Sequence, residues 1–521
     1  MKRKNTVILE DVPVKKVKDG ITNNNSQNFS DDEEPVNAVS SHLSKNEKIS
    51  ISCPYLDTIN RSILDFDFEK LCSISLSHLN VYACLICGKY FQGRGPSTHA
   101  HTHSVSEGHH VFLNLETQNF YCLPDNYQVK DSSLDDINYL LNPVFQPSII
   151  TSLDKNDKQT RAYDETKYYP GIVGLNNIKA NDYCNVMLQL LGHIPPLRNF
   201  FLIPKNYDDI PKQPGDQMLL LVQRFGELIR KLWNHHLFKS HVSPHDFLQA
   251  VVLCSNKRFQ FTEQADSVEF FTWLINSLNH SLKLKGKPLS STIISKSLRG
   301  SMRIHSKKMP PPDLRPEQVK ILMQDPEYAD ERTEETKFLY LTCDLPPAPL
   351  YLDELKENII PQVPLLNLLV KFNGISEKEY KTHNDSSLKR FEIMRLPPYL
   401  CLYMKRIVKN IFTLEKNPTI VNFPIKAVDF GEYLLPKYRA THKYTTYNLI
   451  ANVVHDGPPA LGVGTHRIQV LNQGSGKWFE MQDLHVREVL PQMITLSESL
   501  FQLWQVDKTV PNPFYKETAS E

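Results

Sequence analysis

No stretch of this 521-residue sequence approaches the roughly 18 consecutive apolar residues that a helix needs to cross a bilayer. The first residues are charged, and no apolar segment with a small-residue cleavage site follows them, so no secretory signal is read there. A soluble, intracellular protein without membrane contact is expected. An excess of either charge is also missing: 59 Lys and Arg stand against 58 Asp and Glu, a formal net charge of +1. Nothing in that balance demands a phosphate-backbone partner, so contact with RNA would be secondary to contact with protein. Cysteine is sparse and odd in number, nine in all. That excludes a disulfide framework and points to free thiols and metal ligands in a reducing compartment.

Hydrophobic residues make up 40% of the chain, enough for more than one packed core, and two domains with tails are expected. Residues 1–48 are rich in Lys, Asn, Ser and Asp and read as a disordered tail. Its two basic clusters, Lys2-Arg3-Lys4 and Lys15-Lys16-Val17-Lys18, have the spacing of a bipartite nuclear import signal, although a solvated charged tail would look the same. A small metal-organised domain is expected over 49–148, a polar linker over 149–168, a large α+β domain over 169–508 and a short tail over 509–521. In the large domain, Asp216 is a candidate cap for a helix carrying Leu221, Phe225, Leu228 and Leu232, and Val268, Phe271, Ile275 and Leu278 repeat that spacing. Later, Leu400, Leu402 and Met404 alternate as in a strand, as do Tyr447, Leu449, Ala451 and Val453. Helices early and strands late predict helices gathered on one part of a mainly antiparallel sheet.

Cys84-x2-Cys87 followed by His103-x5-His109 offers two thiolates and two imidazoles, the donor set of a closed tetrahedral zinc site. A His-rich loop without metal is the bland alternative, since His99, His101 and His110 lie nearby. A base-reading finger fits poorly, because Gly93, Gly95 and Pro96 fall where its recognition helix would start. The run Cys53-Pro54-Tyr55-Leu56, the Cys84/Cys87 pair, Gly93-Arg94 and the ladder His99, His103, His109 together resemble the zinc finger of ubiquitin-specific proteases. Fuller members of that family bind three zincs. Here Tyr55 and Asp125 stand beside Cys53 and Cys122, and Ser75 and Gln92 beside Cys72 and His99, so the resemblance implies one structural Zn2+ on Cys84, Cys87, His103 and His109. Arg94 matches the arginine that holds a free ubiquitin tail, but Tyr82 and Leu123 replace the usual aromatic walls.

Gly174-Leu175-Asn176-Asn177 through Asn185, Leu188 and Gln189 resembles the cysteine box of the same proteases, with Asp182 in the place of the nucleophile. Cleavage of this kind needs a thiolate activated by histidine, which a carboxylate cannot replace. Cys184, two residues on, is expected to point into the core. Asn177 takes the place of an oxyanion donor that has no nucleophile to serve. The histidine box lies within Tyr447–Val470, where Gly464 makes Thr465 the base position, and Gln482 takes the orienting position. By strand alternation His466 is expected to face away from the cleft; a register slipped by one residue would make it the base, still without a nucleophile. On this reading Asp182, Thr465 and Gln482 are a degenerate triad with no catalytic residue. Asp182→Ala and Thr465→Ala are then expected to leave the fold nearly unchanged.

The resemblance implies a papain-like thumb-palm-fingers domain over about 170–505, with no second metal because no Cys-x2-Cys pair follows Cys87. The phrases at Cys53–Ser62, Lys89–Gly95, Gly174–Tyr183 and Leu490–Ser499 are similar to the splicing-associated branch of the family. That branch implies a non-catalytic nuclear splicing factor contacting proteins of the spliceosomal tri-snRNP. A ubiquitin or ubiquitin-like reader is the alternative, and an active deubiquitinase the remote one.

Overall fold

The computed structural model describes residues 53–210, 217–284, 286–310, 330–347, 360–381, 386–409, 414–460 and 462–516, with isolated positions between 311 and 329. The tail at 1–48 with its basic clusters, and the cap candidate Asp216, lie outside the described residues.

Short strands of β-branched and aromatic residues build the first unit. Val81–Cys84, Tyr90–Gln92, Val111–Asn114, Phe120–Cys122 and Tyr127–Val129 form one antiparallel sheet, with Val81–Cys84 between Tyr90–Gln92 and Val111–Asn114. Period-two alternation sorts its side chains into two small cores. Val81, Ala83, Val111 and Leu113 face one, whereas Tyr82, Cys84 and Phe112 face the other. The helix His99–Glu107 ends at Gly108, whose left-handed φ of 67° turns the chain back so that His109 meets His103.

In the larger unit, Asp182–Gly192, Gln217–Leu232, His245–Cys254 and Ser267–Ser281 are helices whose apolar residues share one core. Leu221, Phe225, Leu228 and Leu232 are buried at the predicted helical spacing. Asp266 caps the last of these helices, accepting from the backbone N–H groups of Val268 and Glu269 at 2.8 and 2.9 Å. The main sheet runs in the order Leu341–Asp344, Tyr399–Lys405, Ser499–Val506, Thr446–Asp456, Thr465–Leu471, Trp478–Gln482, His485–Val489. All neighbours in it are antiparallel except the first pair. A separate four-stranded antiparallel sheet is built from Gly300–Met309, Arg332–Phe338, Asn373–Lys381 and Ser386–Arg395.

Both faces of the main sheet are covered, so its central strands are apolar on both sides. Leu400, Leu402 and Met404 face one core while Tyr399 and Cys401 face the other. The alternation expected from Tyr447 through Val453 is not kept. A register shift between Leu449 and Ala451 leaves Tyr447 and Leu449 in one core and moves Ala451 and Val453 into the other, the effect of a bulge that the residue pattern does not reveal.

Two stretches are more organised than their composition suggested. Within 149–168, Leu153, Ala162 and Tyr168 are buried, Arg198 pairs with Asp154 at 2.7 Å, and Thr160–Arg161 pairs with Lys167–Tyr168. The segment read as a C-terminal tail folds back as far as Lys516. Asn512 donates to the carbonyls of Arg439 and His442 at 2.8 and 2.7 Å, and the Arg439 guanidinium lies 4.1 Å from the centre of the Phe514 ring. Polar side chains here saturate backbone groups of a neighbouring turn, a tertiary use that polarity alone does not announce. The two units also touch. Asp67 accepts from Lys231 at 2.5 Å and from the Ser243 backbone at 3.0 Å, Asp65 pairs with Lys239 at 3.1 Å, and Phe238 enters the core of the finger.

Candidate functional site: a metal centre and a filled cleft

Cys84 ends one strand, Cys87 lies in the turn after it, His103 stands on the helix, and His109 follows its Gly108 terminus. Their ligand atoms all lie within 4.8 Å of one another. Cys84 Sγ is 3.5 Å from His109 Nδ1, and Cys87 Sγ is 3.4 Å from His103 Nε2. A tetrahedral zinc with sulfur at about 2.3 Å and nitrogen at about 2.0 Å would set such edges at about 3.5 Å. The four side chains therefore fit zinc in both donor type and spacing, and the chain binds zinc through this finger. Phe91 stacks on His103 with ring centres 4.2 Å apart, which fixes the imidazole plane.

Around the two degenerate sites, at Cys53 with Cys122 and at Cys72 with His99, protein contacts occupy the space. Ser75 donates to Gln92 at 2.8 Å while its backbone N–H points at Cys72 Sγ at 3.4 Å. Tyr55 stacks on His110, ring centres 3.9 Å apart, and His110 in turn bonds the Leu123 carbonyl at 2.7 Å. Arg94 donates to Asn126 at 2.8 Å and lies over Tyr121, 4.5 Å from the ring centre.

In the larger unit, Asp182 opens the helix Asp182–Gly192 and is 4% exposed. Its Oδ2 lies 2.8 Å from His466 Nδ1 and accepts from the His466 backbone N–H at 2.9 Å. The Gln264 amide reaches both of its oxygens, at 3.0 and 2.8 Å, and also bonds the Gly464 carbonyl at 2.9 Å. Gln264 Oε1 accepts from the Gly462 N–H at 2.8 Å, so one glutamine clamps the carboxylate to the loop before Thr465. Burial pushes the Asp182 pKa up, but the His466 ring and backbone N–H, with Gln264, outweigh it and hold the carboxyl below the ordinary aspartate value. His455 packs against His466, ring centres 4.9 Å apart, and burial, with His466 next, pulls its pKa down to about 4.

His466 faces away from Thr465 as strand alternation predicts, but Asp182, expected in the cleft with Thr465, lies on the His466 side instead. Neighbouring strand residues do face opposite sides, and Thr465 is exposed while His466 is buried. The helix start carrying Asp182 packs on the buried side, where His466 is. Gln482 lies 3.4 Å from Thr465 on the exposed side, so the three positions read as a triad divide into a Thr465–Gln482 pair and an Asp182–His466 pair.

Cys184 is 1% exposed in the helical core, and burial raises its thiol pKa beyond the range in which a thiolate forms near neutrality. Asn177 donates to Asp483 at 3.0 Å, and Asn185 donates to the other oxygen of that carboxylate at 2.9 Å. Asp483 was missed as a site residue, although it directly follows Gln482; its role is visible only where the turn before His485 meets the strand at Gly174. That approach explains Gly174, where a Cβ would sit 2.8 Å from Leu484 Cα and from the Leu484 carbonyl. Gln264 was missed as well, since nothing in its neighbours along the chain shows what it bonds.

The sequence pattern described as "Ubiquitin carboxyl-terminal hydrolase" matches residues 173–505, most of the chain. The chain belongs to that family. A second pattern, "Zn-finger in ubiquitin-hydrolases and other protein", matches residues 72–134. Among curated relatives, the human protein named ubiquitin carboxyl-terminal hydrolase 39 is 60% identical over 476 residues, covering 91% of this chain and 84% of that one. The fission yeast protein named probable mRNA-splicing protein ubp10 is 44% identical over 460 residues, covering 87% and 88%. A crystal structure described as an essential yeast splicing factor superposes with a TM-score of 0.66 at 28% identity, covering 87% of this chain and all of that one. Within the hydrolase family this chain is similar to a hydrolase-named protein and to splicing-named ones, and an aspartate, Asp182, opens the helix of its cysteine-box segment.

Proposed function

We propose that this chain is a non-catalytic pre-mRNA splicing factor acting in the nucleus by protein contacts within the spliceosomal tri-snRNP. Asp182, Thr465 and Gln482 stand at the positions of the lost triad. The observation that carries this reading is the condition of Asp182. Its carboxylate is consumed by His466 and Gln264, and Gln264 also bonds the loop over it, so the cleft is a filled, hydrogen-bonded element of the fold rather than a receptor for a scissile bond. Splicing-named relatives supply the process.

The finger holds one zinc, on Cys84, Cys87, His103 and His109. The Ser75–Gln92 hydrogen bond and the Tyr55–His110 stack support that count, since each places a non-ligand contact beside a leftover cysteine. The decisive experiment is depletion and complementation. Wild-type chain should co-isolate with tri-snRNP proteins and restore splicing of a reporter intron, and it should leave ubiquitin-amide substrates and thiol-directed ubiquitin probes untouched. Covalent labelling by such a probe, or rescue without tri-snRNP association, would overturn the reading. Weak ubiquitin binding remains the second reading, supported by Arg94 at the tail-pocket position. Its guanidinium is engaged by Asn126 and Tyr121.

A further inference from the structure

The strands that end at the filled cleft open at their far ends onto a cavity of about 690 Å³. Thr465 and Gln482 mark the cleft end of two neighbouring strands, and Leu471 and Trp478 mark the other. Six residues of strand at about 3.3 Å each put roughly 20 Å between the two sites. Nothing assigned to the cleft or to the metal centre lines this cavity.

Its floor is apolar and includes Tyr399, Leu449, Ile450 and Trp478, drawn from both cores where the bulge at Ile450 brings them together. Its rim carries Lys296, Lys426 and Lys508, all exposed, from three separate segments of the chain. None of the three forms an ion pair with a described residue. The one acid on the rim, Asp507, is occupied by Asn448 at 2.9 Å and by the Thr509 hydroxyl and backbone at 2.6 and 2.8 Å. Three ammonium groups against the single carboxylate of Asp507 leave the rim of one apolar hollow with a local excess of positive charge.

We propose that this hollow docks an acidic segment of a partner protein, with one apolar side chain entering over Trp478 and Leu449 and flanking carboxylates meeting Lys296, Lys426 and Lys508. The volume suits a short peptide anchor. The lysines supply complementarity that selects acidic flanks and speeds encounter. A nucleic acid would use the lysines but would leave the apolar floor unmatched. This inference rests on the cavity and stands apart from the assembly assigned above.

The test uses the full-length chain and a fluorescein-labelled octapeptide of Asp and Glu flanking a central Phe-Leu pair, followed by fluorescence anisotropy. Saturable binding is expected, weakened about tenfold by replacing Phe-Leu with Ser-Ser and by at least as much in K296E/K426E/K508E, a loss of about 1.4 kcal/mol or more. Because all three lysines are exposed, the thermal melt of that variant should match wild type, which separates lost docking from lost folding. Absence of binding to wild type, equal binding by the Ser-Ser peptide, or equal binding by the charge-reversed variant would each overturn the proposal. So would an oligouridylate that binds more tightly than the peptide and displaces it. A gain in peptide affinity on deleting residues 1–50 would give the hollow to the chain's own Asp31-Asp32-Glu33-Glu34 run and overturn the partner assignment.

Discussion

Asp182 and His466, 284 positions apart in the chain, are joined by a ring nitrogen and a backbone N–H on the same carboxylate oxygen, at 2.8 and 2.9 Å. The pair welds the first helix of the family box to the strand that follows the Gly462–Gly464 loop. Asp182→Ala is therefore not the neutral change that a vacant catalytic position would allow. Removing the carboxylate strands a buried imidazole and the Gln264 amide, a loss on the order of 3 kcal/mol. Chemical denaturation should show it, with Thr465→Ala, an exposed site, within about 0.5 kcal/mol of wild type. Equal stability of the two variants would sink this account.

Gly464 should not tolerate a methyl group. A Cβ there would sit 2.3 Å from His455 Nε2 and 2.8 Å from the Pro458 carbonyl. Gly464→Ala must displace the loop and with it the carbonyl that Gln264 holds, so a stability loss of about 1–3 kcal/mol is expected from its melting curve. Gly462→Ala is a control for the loop itself. A Cβ at Gly462 meets nothing within 4 Å, though its φ of 81° makes the replacement strained in its own right.

Metal analysis of the folded protein should return one zinc per chain, and Cys84→Ala should lose both the metal and the tertiary signals of the finger. Ser75→Ala, which removes a partner of Gln92 beside Cys72, should leave the zinc content unchanged. Three equivalents would show that the leftover cysteines still bind.

Stability should fall as the solution is acidified from pH 6.5 toward pH 4, in part through His193. Its ring is buried, bonds the Gln189 carbonyl at 2.7 Å and has its pKa pulled down to about 4, chiefly by burial. The unfolded chain takes up that proton near pH 6.5 and the folded chain only near pH 4. The stabilisation is thus complete above 6.5 and disappears across that window, by roughly 3 kcal/mol at most. His193→Gln should flatten the pH profile of the unfolding midpoint; an unchanged profile would assign the effect to other groups.

The contact between the finger and the larger unit should be separable from either fold. A double-mutant cycle on Asp67 and Lys231, 2.5 Å apart, should give a coupling of about 1 kcal/mol. Trypsin should then cut faster at the exposed Lys155 and Lys158 in Asp67→Ala than in wild type.

What the sequence determined by itself was whatever depends on residue type at short spacing. Cys84, Cys87, His103 and His109 announce their chemistry because a zinc donor set is specific, and Leu221 through Leu232 announce a helix because a buried stripe must repeat every three or four residues. The absence of a thiol at Asp182 was equally plain. Only the tertiary structure decided what Asp182 does instead. Gln264 and His466 come from distant segments, and whether a strand residue meets a helix start depends on which face that helix covers, which alternation cannot say. The same holds for the bulge at Ile450, the fold-back of Asn512 and the clasp of Asp483 on Asn177 and Asn185. Each joins residues tens to hundreds of positions apart, and a polar side chain in sequence carries no mark of the partner that packing will bring to it.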